Sequence, residues 1–243
     1  MKLRIRVNVY IFLLFYYIMC DLEQYHKDGY IICEDVFTPD ELDACANEIT
    51  TYCKENPYKL FNAAGISIPD FLGRHNLPLT HKLKDSIKLH QILETIFCGS
   101  ENYRFCSHND IGINRIVGWH KDKLNGDVEK YQVHNIWEPY EGEKHEIVKV
   151  LTYLEDHCND NDGLKVVPRS HTIPEINSLG AIQLRPKKGS VIIFDQRITH
   201  RGMENQCNYS RILVSMGFGK NNIFTDEFEH GTIVRQNMQN GVK

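Results

Sequence analysis

Apolar residues recur along this chain with two different periods, and the change between them falls near residue 100. Within residues 38–54, Leu42, Cys45, Ala46, Ile49 and Cys53 repeat at helical spacing and share one face. Thr38 stands as N-cap, Pro39 takes the first helical position and Glu41 completes a capping box, so this helix has a defined start. A second helical pattern covers residues 80–97, with Leu89, Ile92, Leu93 and Ile96 on one side and Gly99 as a stop signal. Residues 55–79, rich in Pro, Gly and Asn, read as loop.

After residue 100 the pattern shortens to runs of β-branched and aromatic residues at 111–117, 147–154, 164–167, 190–194 and 211–218, each bounded by turn residues. No helical pattern separates them. They predict an antiparallel sandwich or barrel, so the expected class is mainly β with N-terminal helices (α+β), the helices buttressing the barrel. The polar stretch 220–243 reads as a tail that wraps the surface, and no internal repeat is present.

Length and charge narrow the picture. The 243 residues suit one domain, expected over residues 21–243 with a barrel core at about 100–219. Lys and Arg number 28 against 32 Asp and Glu, with no block of like charge to follow a phosphate backbone, so nucleic acid is not an expected partner. The 8 cysteines are scattered and form no CxxC pair, which reads as reduced thiols in a cytosol-like compartment. Residues 1–20 stand apart: Lys2, Arg4 and Arg6 precede an apolar run containing Phe12, Leu13, Leu14, Phe15 and Ile18. That is the shape of a signal peptide or anchor, yet the run is shorter than the ~20 apolar residues of a membrane span and lacks a small-residue cleavage site. Because Met19 stands just before the domain, an over-extended start fits equally. The expected location is cytoplasmic, with membrane contact only if residues 1–20 are retained; the pattern leaves oligomeric state open.

A His-x-Asp pair places two ligand types on the same side of an extended or tightly turned segment, where both can reach one metal. The pair occurs at His26/Asp28, His108/Asp110 and His120/Asp122, so context has to choose. His26 and Asp28 sit where a helix runs into a strand ahead of the barrel and read as solvated polar residues. His108/Asp110 precedes the strand at 111–117, whereas His120/Asp122 follows it, at a strand end that opens into a barrel mouth. Downstream, His200 closes the segment that follows the apolar run Val191-Ile192-Ile193-Phe194, and Gly202 permits a turn. Two imidazoles and a carboxylate would hold Fe(II) on one side and leave coordination positions free.

Arg211 opens the next strand, where Arg211, Leu213, Ser215 and Gly217 share one face and Ile212, Val214, Met216 and Phe218 the other. A guanidinium there needs a partner. It suits the far carboxylate of a dicarboxylic cosubstrate, the structural alternative being a salt bridge to Asp195 or Glu155. Asn114, Ser215 and Thr199 are polar strand residues read as structural, and His171 as a capping or core histidine.

Taken together these blocks resemble the phytanoyl-CoA dioxygenase family from about Asp21 to Gly219. Tyr25-His26-Lys27-Asp28-Gly29-Tyr30 and Glu34-Asp35-Val36-Phe37-Thr38-Pro39-Asp40-Glu41-Leu42 look like its N-terminal strand and helix, and Trp119-His120-Lys121-Asp122 like its iron-binding pair. Leu151-Thr152-Tyr153-Leu154-Glu155-Asp156 and the segment Asn161 through His171 are similar to its central strands, where a glycine commonly stands in place of Arg169. Gly189 through Arg211 looks like the segment with the distal histidine and the cosubstrate arginine. The resemblance implies a double-stranded β-helix (jelly-roll, cupin-like) that binds Fe(II) through His120, Asp122 and His200 and 2-oxoglutarate through Arg211. It also implies use of O2, ascorbate as a supporting reductant, and hydroxylation of an unactivated C–H bond in a small-molecule or lipid-like substrate, with release of succinate and CO2. Family halogenases carry a small residue in place of the carboxylate, so Asp122 argues for hydroxylation. Residues 123–146, with Tyr131, Trp137 and Tyr140, fall where a lid is expected, a surface loop being the alternative. The rival reading on the same barrel is a cupin-like isomerase or sugar-binding module without oxygen chemistry, which has no need of Arg211; a catalytically dead interaction protein is a second.

Overall fold

Strands that alternate cleanly or are apolar throughout need cover on one face or on two, and both kinds are present. The computed structural model describes residues 22–57, 61–62, 65–156, 163–202 and 208–241; the segment 1–20, read above as a targeting segment or an over-extended start, lies outside them. In chain order, α1 (22–28) and β1 (Tyr30–Cys33) lead to α2 (Pro39–Glu55), β2 (Phe61–Asn62), β3 (Ile66–Pro69), α3 (Phe71–Arg74), α4 (Pro78–His81) and α5 (Ile87–Phe97). Then come β4 (Tyr103–Ile113), β5 (Val117–His120), β6 (Ile147–Tyr153), β7 (Leu164–Val166), β8 (Ile182–Leu184), β9 (Val191–Asp195), β10 (His200–Gly202), β11 (Ile212–Lys220) and α6 (Ile223–Gln239).

The strands form two antiparallel sheets, a large one ordered β1-β9-β6-β11-β4-β3-β2 and a small one ordered β5-β10-β7-β8. This is a double-stranded β-helix. The central strands β6 and β9 are buried at every position, because both faces of the large sheet are covered. Val148, Val150, Val191, Ile193, Val214 and Met216 pack against Leu42, Ile49, Leu89 and Leu93 of α2 and α5. Leu151, Tyr153, Ile192 and Phe194 face the other way and meet Leu164, Val166 and Leu184 of the small sheet.

The capping box at α2 forms as predicted: Thr38 Oγ1 accepts the Glu41 amide at 3.3 Å and Glu41 Oε2 accepts the Thr38 amide at 2.8 Å. Thr38→Ala is expected to cost about 1 kcal/mol, lowering the thermal midpoint by about 2–4 °C at this chain length. An unchanged midpoint in a melting experiment would show that the cap is redundant.

Several segments depart from the sequence reading. The strand expected at 111–117 is divided between β4, which ends at Ile113, and β5, which starts at Val117. Residues 55–79 are not all loop: β2 and β3 extend the large sheet, with Ile68 fully buried opposite Ile111. The helix expected at 80–97 breaks into α4, a 3-10 turn at Lys82–Asp85 and α5, because Ser86 takes up an N-cap position and accepts the Leu89 amide. The surface tail expected at 220–243 is instead α6, whose Phe224 and Phe228 are buried. No helix among the described residues is long and apolar enough to cross a membrane, and the described cysteines 33, 45, 53, 98 and 106 are free thiols.

Glu155 follows β6, and its Oε2 accepts the Ile212 amide at 2.8 Å. Burial pushes its pKa up to about 7, with the Ile212 hydrogen bond offsetting only part of that rise. A carboxyl that binds its proton more tightly when folded contributes stability below the ordinary carboxylate range and loses it as pH climbs through about 7. Glu155→Gln is therefore expected to melt with a shallower decline than wild type between about pH 5 and about pH 8. The comparison between the two proteins isolates this carboxyl; superimposable profiles would rule it out.

Candidate metal centre and cosubstrate pocket

In the small sheet β5 and β10 lie side by side, with His120 directly opposite His200. That register sets the two imidazole centroids 4.1 Å apart. Each ring aims Nδ1 at a main-chain carbonyl two residues upstream, His120 at Gly118 (2.8 Å) and His200 at Ile198 (3.0 Å). A carbonyl only accepts, so Nδ1 carries the hydrogen and Nε2 presents its lone pair. Both Nε2 atoms turn toward Asp122, at 3.4 Å from Oδ1 for His120 and 3.6 Å from Oδ2 for His200. One donor atom from each residue lies within 4.8 Å of the others.

Asp122 is itself anchored: its amide donates to Gln196 O at 3.0 Å and its carbonyl accepts from the Gln196 side chain. Burial opposes ionisation of Asp122, yet the charge of Lys149 and the two imidazoles hold its carboxyl well below the usual range. Burial pushes His200 down to about 4, so its ring is neutral. At His120 burial is outweighed by Asp122, and the pKa rises. Two imidazoles with outward lone pairs and an ionised carboxylate, grouped on one side of a cavity, make a donor set that fits Fe(II).

Arg211 precedes β11, is 5% exposed, and lines the same cavity of about 330 Å³ as the three ligand candidates. Its backbone is fixed by Asn114, whose Oδ1 accepts the Arg211 amide at 2.8 Å and whose own amide donates to Arg211 O at 3.0 Å. The guanidinium donates from Nη2 to Arg115 O at 3.2 Å and stands 5.9 Å from the centroid of the Tyr153 ring. The two carboxylates weighed as its partners are engaged otherwise: Asp195 with Arg197 at 2.8 Å, and Glu155 with the Ile212 amide. Leu213 and Ser215 follow Arg211 on the cavity side, while Ile212, Val214, Met216 and Phe218 enter the helix-covered core, as the alternation predicts.

The other His-x-Asp pairs go elsewhere. Asp28 is buried rather than solvated, 3.3 Å from Arg169 Nε. His108 and Asp110 do line the cavity, but Asp110 is held by Arg235 Nη2 at 2.8 Å. His171 is buried in a 3-10 turn outside the cluster, and Thr199 is buried likewise. Arg169, where the family commonly has glycine, adopts φ +67°, which is the left-handed backbone that favours glycine. The lid expectation divides: Leu124 and Val128 wall the cavity, whereas Trp137 packs beneath Lys121 and Arg197 on the far side.

Two groups escaped the sequence reading. Lys149 lies inside the barrel at a position of β6 where alternation calls for an apolar side chain, and that mismatch was the available signal. Phe228, Thr232, Arg235 and Gln239 form one face of α6 and close the cavity. Gly231 lets α6 approach the lid, since a Cβ there would come 2.4 Å from Leu124 Cδ1.

A double-stranded β-helix bearing a two-histidine, one-carboxylate cluster at the mouth of its barrel is the framework of non-haem metal enzymes. The chain belongs to the phytanoyl-CoA dioxygenase (PhyH) family, whose model matches residues 25–213. A search of curated protein sequences finds no significant match. Similar solved structures include AviO1 from Streptomyces viridochromogenes Tue57, at 15% identity and TM-score 0.63 over 84% of this chain and 95% of that one. HygX from Streptomyces hygroscopicus, solved with nickel and 2-oxoglutarate bound, matches at 14% identity and TM-score 0.63 over 83% and 86% of the two chains. The non-haem α-ketoglutarate-dependent epimerase SnoN from nogalamycin biosynthesis matches at 14% identity and TM-score 0.60 over 83% and 81%.

Proposed function

We propose that this protein is an Fe(II)- and 2-oxoglutarate-dependent dioxygenase that hydroxylates an unactivated C–H bond of a small-molecule or lipid-like substrate, releasing succinate and CO2. One observation carries the reading: His120, Asp122 and His200 converge, and Arg211 enters the same cavity. In this reading the three residues hold iron and the Arg211 fork takes the far carboxylate of 2-oxoglutarate. Iron with 2-oxoglutarate and oxygen supplies the oxidising chemistry. The protein contributes geometry. The Gly118 and Ile198 carbonyls fix both imidazoles in the ligating tautomer, Gln196 steadies the Asp122 backbone, and the lid and α6 exclude water. Membership of the family and neighbours named for 2-oxoglutarate chemistry support the reading. A buried arginine lining the same cavity as the cluster favours it over a non-oxidative isomerase or sugar-binding module, which makes no use of Arg211.

The test is succinate release from 2-oxoglutarate with Fe(II) and ascorbate. Arg211→Ala is expected to raise the KM for 2-oxoglutarate about 100-fold, the equivalent of losing a charge-assisted pair worth about 3 kcal/mol. Wild-type protein that binds iron yet never releases succinate would overturn the proposal. Product analysis separates hydroxylation from the epimerase outcome named for one neighbour.

A further inference from the structure

The interior wall of β6 reads Ile147, Lys149, Leu151, Tyr153, and the lysine is 2% exposed. Removing an ammonium from water costs several kcal/mol unless anions and hydrogen bonds replace the hydration. The replacement seen here is incomplete. Lys149 Nζ stands 3.7 Å from Asp122 Oδ2 and 5.6 Å from the centroid of the Phe228 ring, and it donates no hydrogen bond to a described residue. The ammonium lines the cavity with three donors and one carboxylate at ion-pair distance, so it has hydrogen-bonding capacity to spare. Nor does Asp122 suffice as a partner, since in the reading above the same carboxylate serves a divalent ion.

Nearby groups deepen the imbalance. Arg235 reaches in from α6, bound to Asp110 at 2.8 Å and to Gln239 Oε1 at 2.6 Å, with His108 Nδ1 at 3.5 Å. His108 is driven down to about 3, first by burial and then by the charge of Lys149, so its ring is neutral and changes the balance in neither direction. Of the cations along the wall, Lys121 turns away to Ser170 O and Arg197 O and Lys123 pairs with Glu129 at 3.7 Å, which leaves Arg115, Lys149 and Arg235 against two carboxylates, Asp110 and Asp122. A divalent ion and doubly charged 2-oxoglutarate cancel each other, so their arrival leaves the positive excess in place. Leu124, Val128, Leu151 and Phe228 make the rest of this end apolar.

Resting on the oxygenase reading, we infer that the substrate carries an anionic group, a carboxylate or phosphate, that docks on Lys149 with Arg235 beside it. Lys149 is thus a specificity-determining residue, and its ammonium orients the substrate's anionic end beside the metal centre. Neutral analogues of the same size bind poorly.

The experiment uses full-length protein loaded with Ni(II) and saturating 2-oxoglutarate, titrated calorimetrically with inorganic phosphate, hexanoate and uncharged hexanamide. Wild type is expected to bind at least one anion about tenfold more tightly than hexanamide, with Lys149→Met abolishing that preference and Lys149→Arg keeping it. If Lys149→Met fails to fold, Arg235→Gln, at the more exposed edge, is expected to weaken the same anion by about threefold. Three outcomes overturn the inference: Ni(II) and 2-oxoglutarate bind but no anion does; anion affinity survives Lys149→Met; or that variant loses 2-oxoglutarate affinity instead, which would assign the lysine to the cosubstrate. Failure of wild type to bind Ni(II) or 2-oxoglutarate at all would strike the oxygenase reading itself, and this inference with it.

Discussion

Replacing His200 with alanine is expected to weaken metal binding by more than about 100-fold, the upper end of what losing a mere outer-sphere partner costs. Succinate formation is expected to fall to the no-enzyme background. The argument is geometric. His200 is 5% exposed, its Nδ1 is committed to Ile198 O, and its Nε2 faces Asp122, so no other described side chain stands ready to replace it. Of the two rings beside it, His120 at 4.1 Å is already committed to the same cluster, and Phe194 at 4.8 Å offers no lone pair. Isothermal titration with Fe(II) under anaerobic conditions, beside a melting curve, separates lost ligation from lost fold. Wild-type affinity in His200→Ala would remove this residue from the metal site.

Phe194→Ala carries the second large effect. The ring is fully buried between the sheets, on a strand paired with β1 on one side and β6 on the other, opposite Tyr30 and Lys149. Truncating a buried phenylalanine costs about 3–5 kcal/mol, part of it for the cavity left behind. At this chain length the melting midpoint is expected to drop by about 10 °C. Because the same ring packs on His200, metal affinity is expected to fall as well, whereas Phe194→Leu, closer in volume, is expected to cost less than about 1.5 kcal/mol. Urea unfolding with and without metal measures both effects; a variant within about 0.5 kcal/mol of wild type would place Phe194 outside the load of the core.

Parts of this architecture are plain in the sequence because a single physical demand dominates them. The run Val191 to Phe194 is apolar at every position since both faces of β9 are covered, and α2 announces its start because Thr38 and Glu41 satisfy each other's amides. The strand at 111–117 used to choose among the three His-x-Asp pairs is displaced, since His108 and Asp110 lie within β4 and His120 ends β5, yet the pair chosen does converge with His200. What stayed hidden answers to two demands at once. α6 packs Phe224 and Phe228 inward yet turns Thr232, Arg235 and Gln239 to a polar cavity, so its apolar periodicity is blurred and it reads as a tail. Lys149 breaks alternation because an internal chamber, not solvent, receives it. β3 is four residues long and ends in Pro69, too short beside its Gly- and Asn-rich flanks to stand out from a loop.

The order of elements has a consequence for biosynthesis. His120, Asp122 and His200 all precede residue 203, while α6, which walls off their chamber, spans Ile223–Gln239. A nascent chain leaving the ribosome therefore possesses all three candidate metal donors before it possesses the partition that hides them. In the oxygenase reading, an ion would have open access to the cluster during that interval, before α6 covers it.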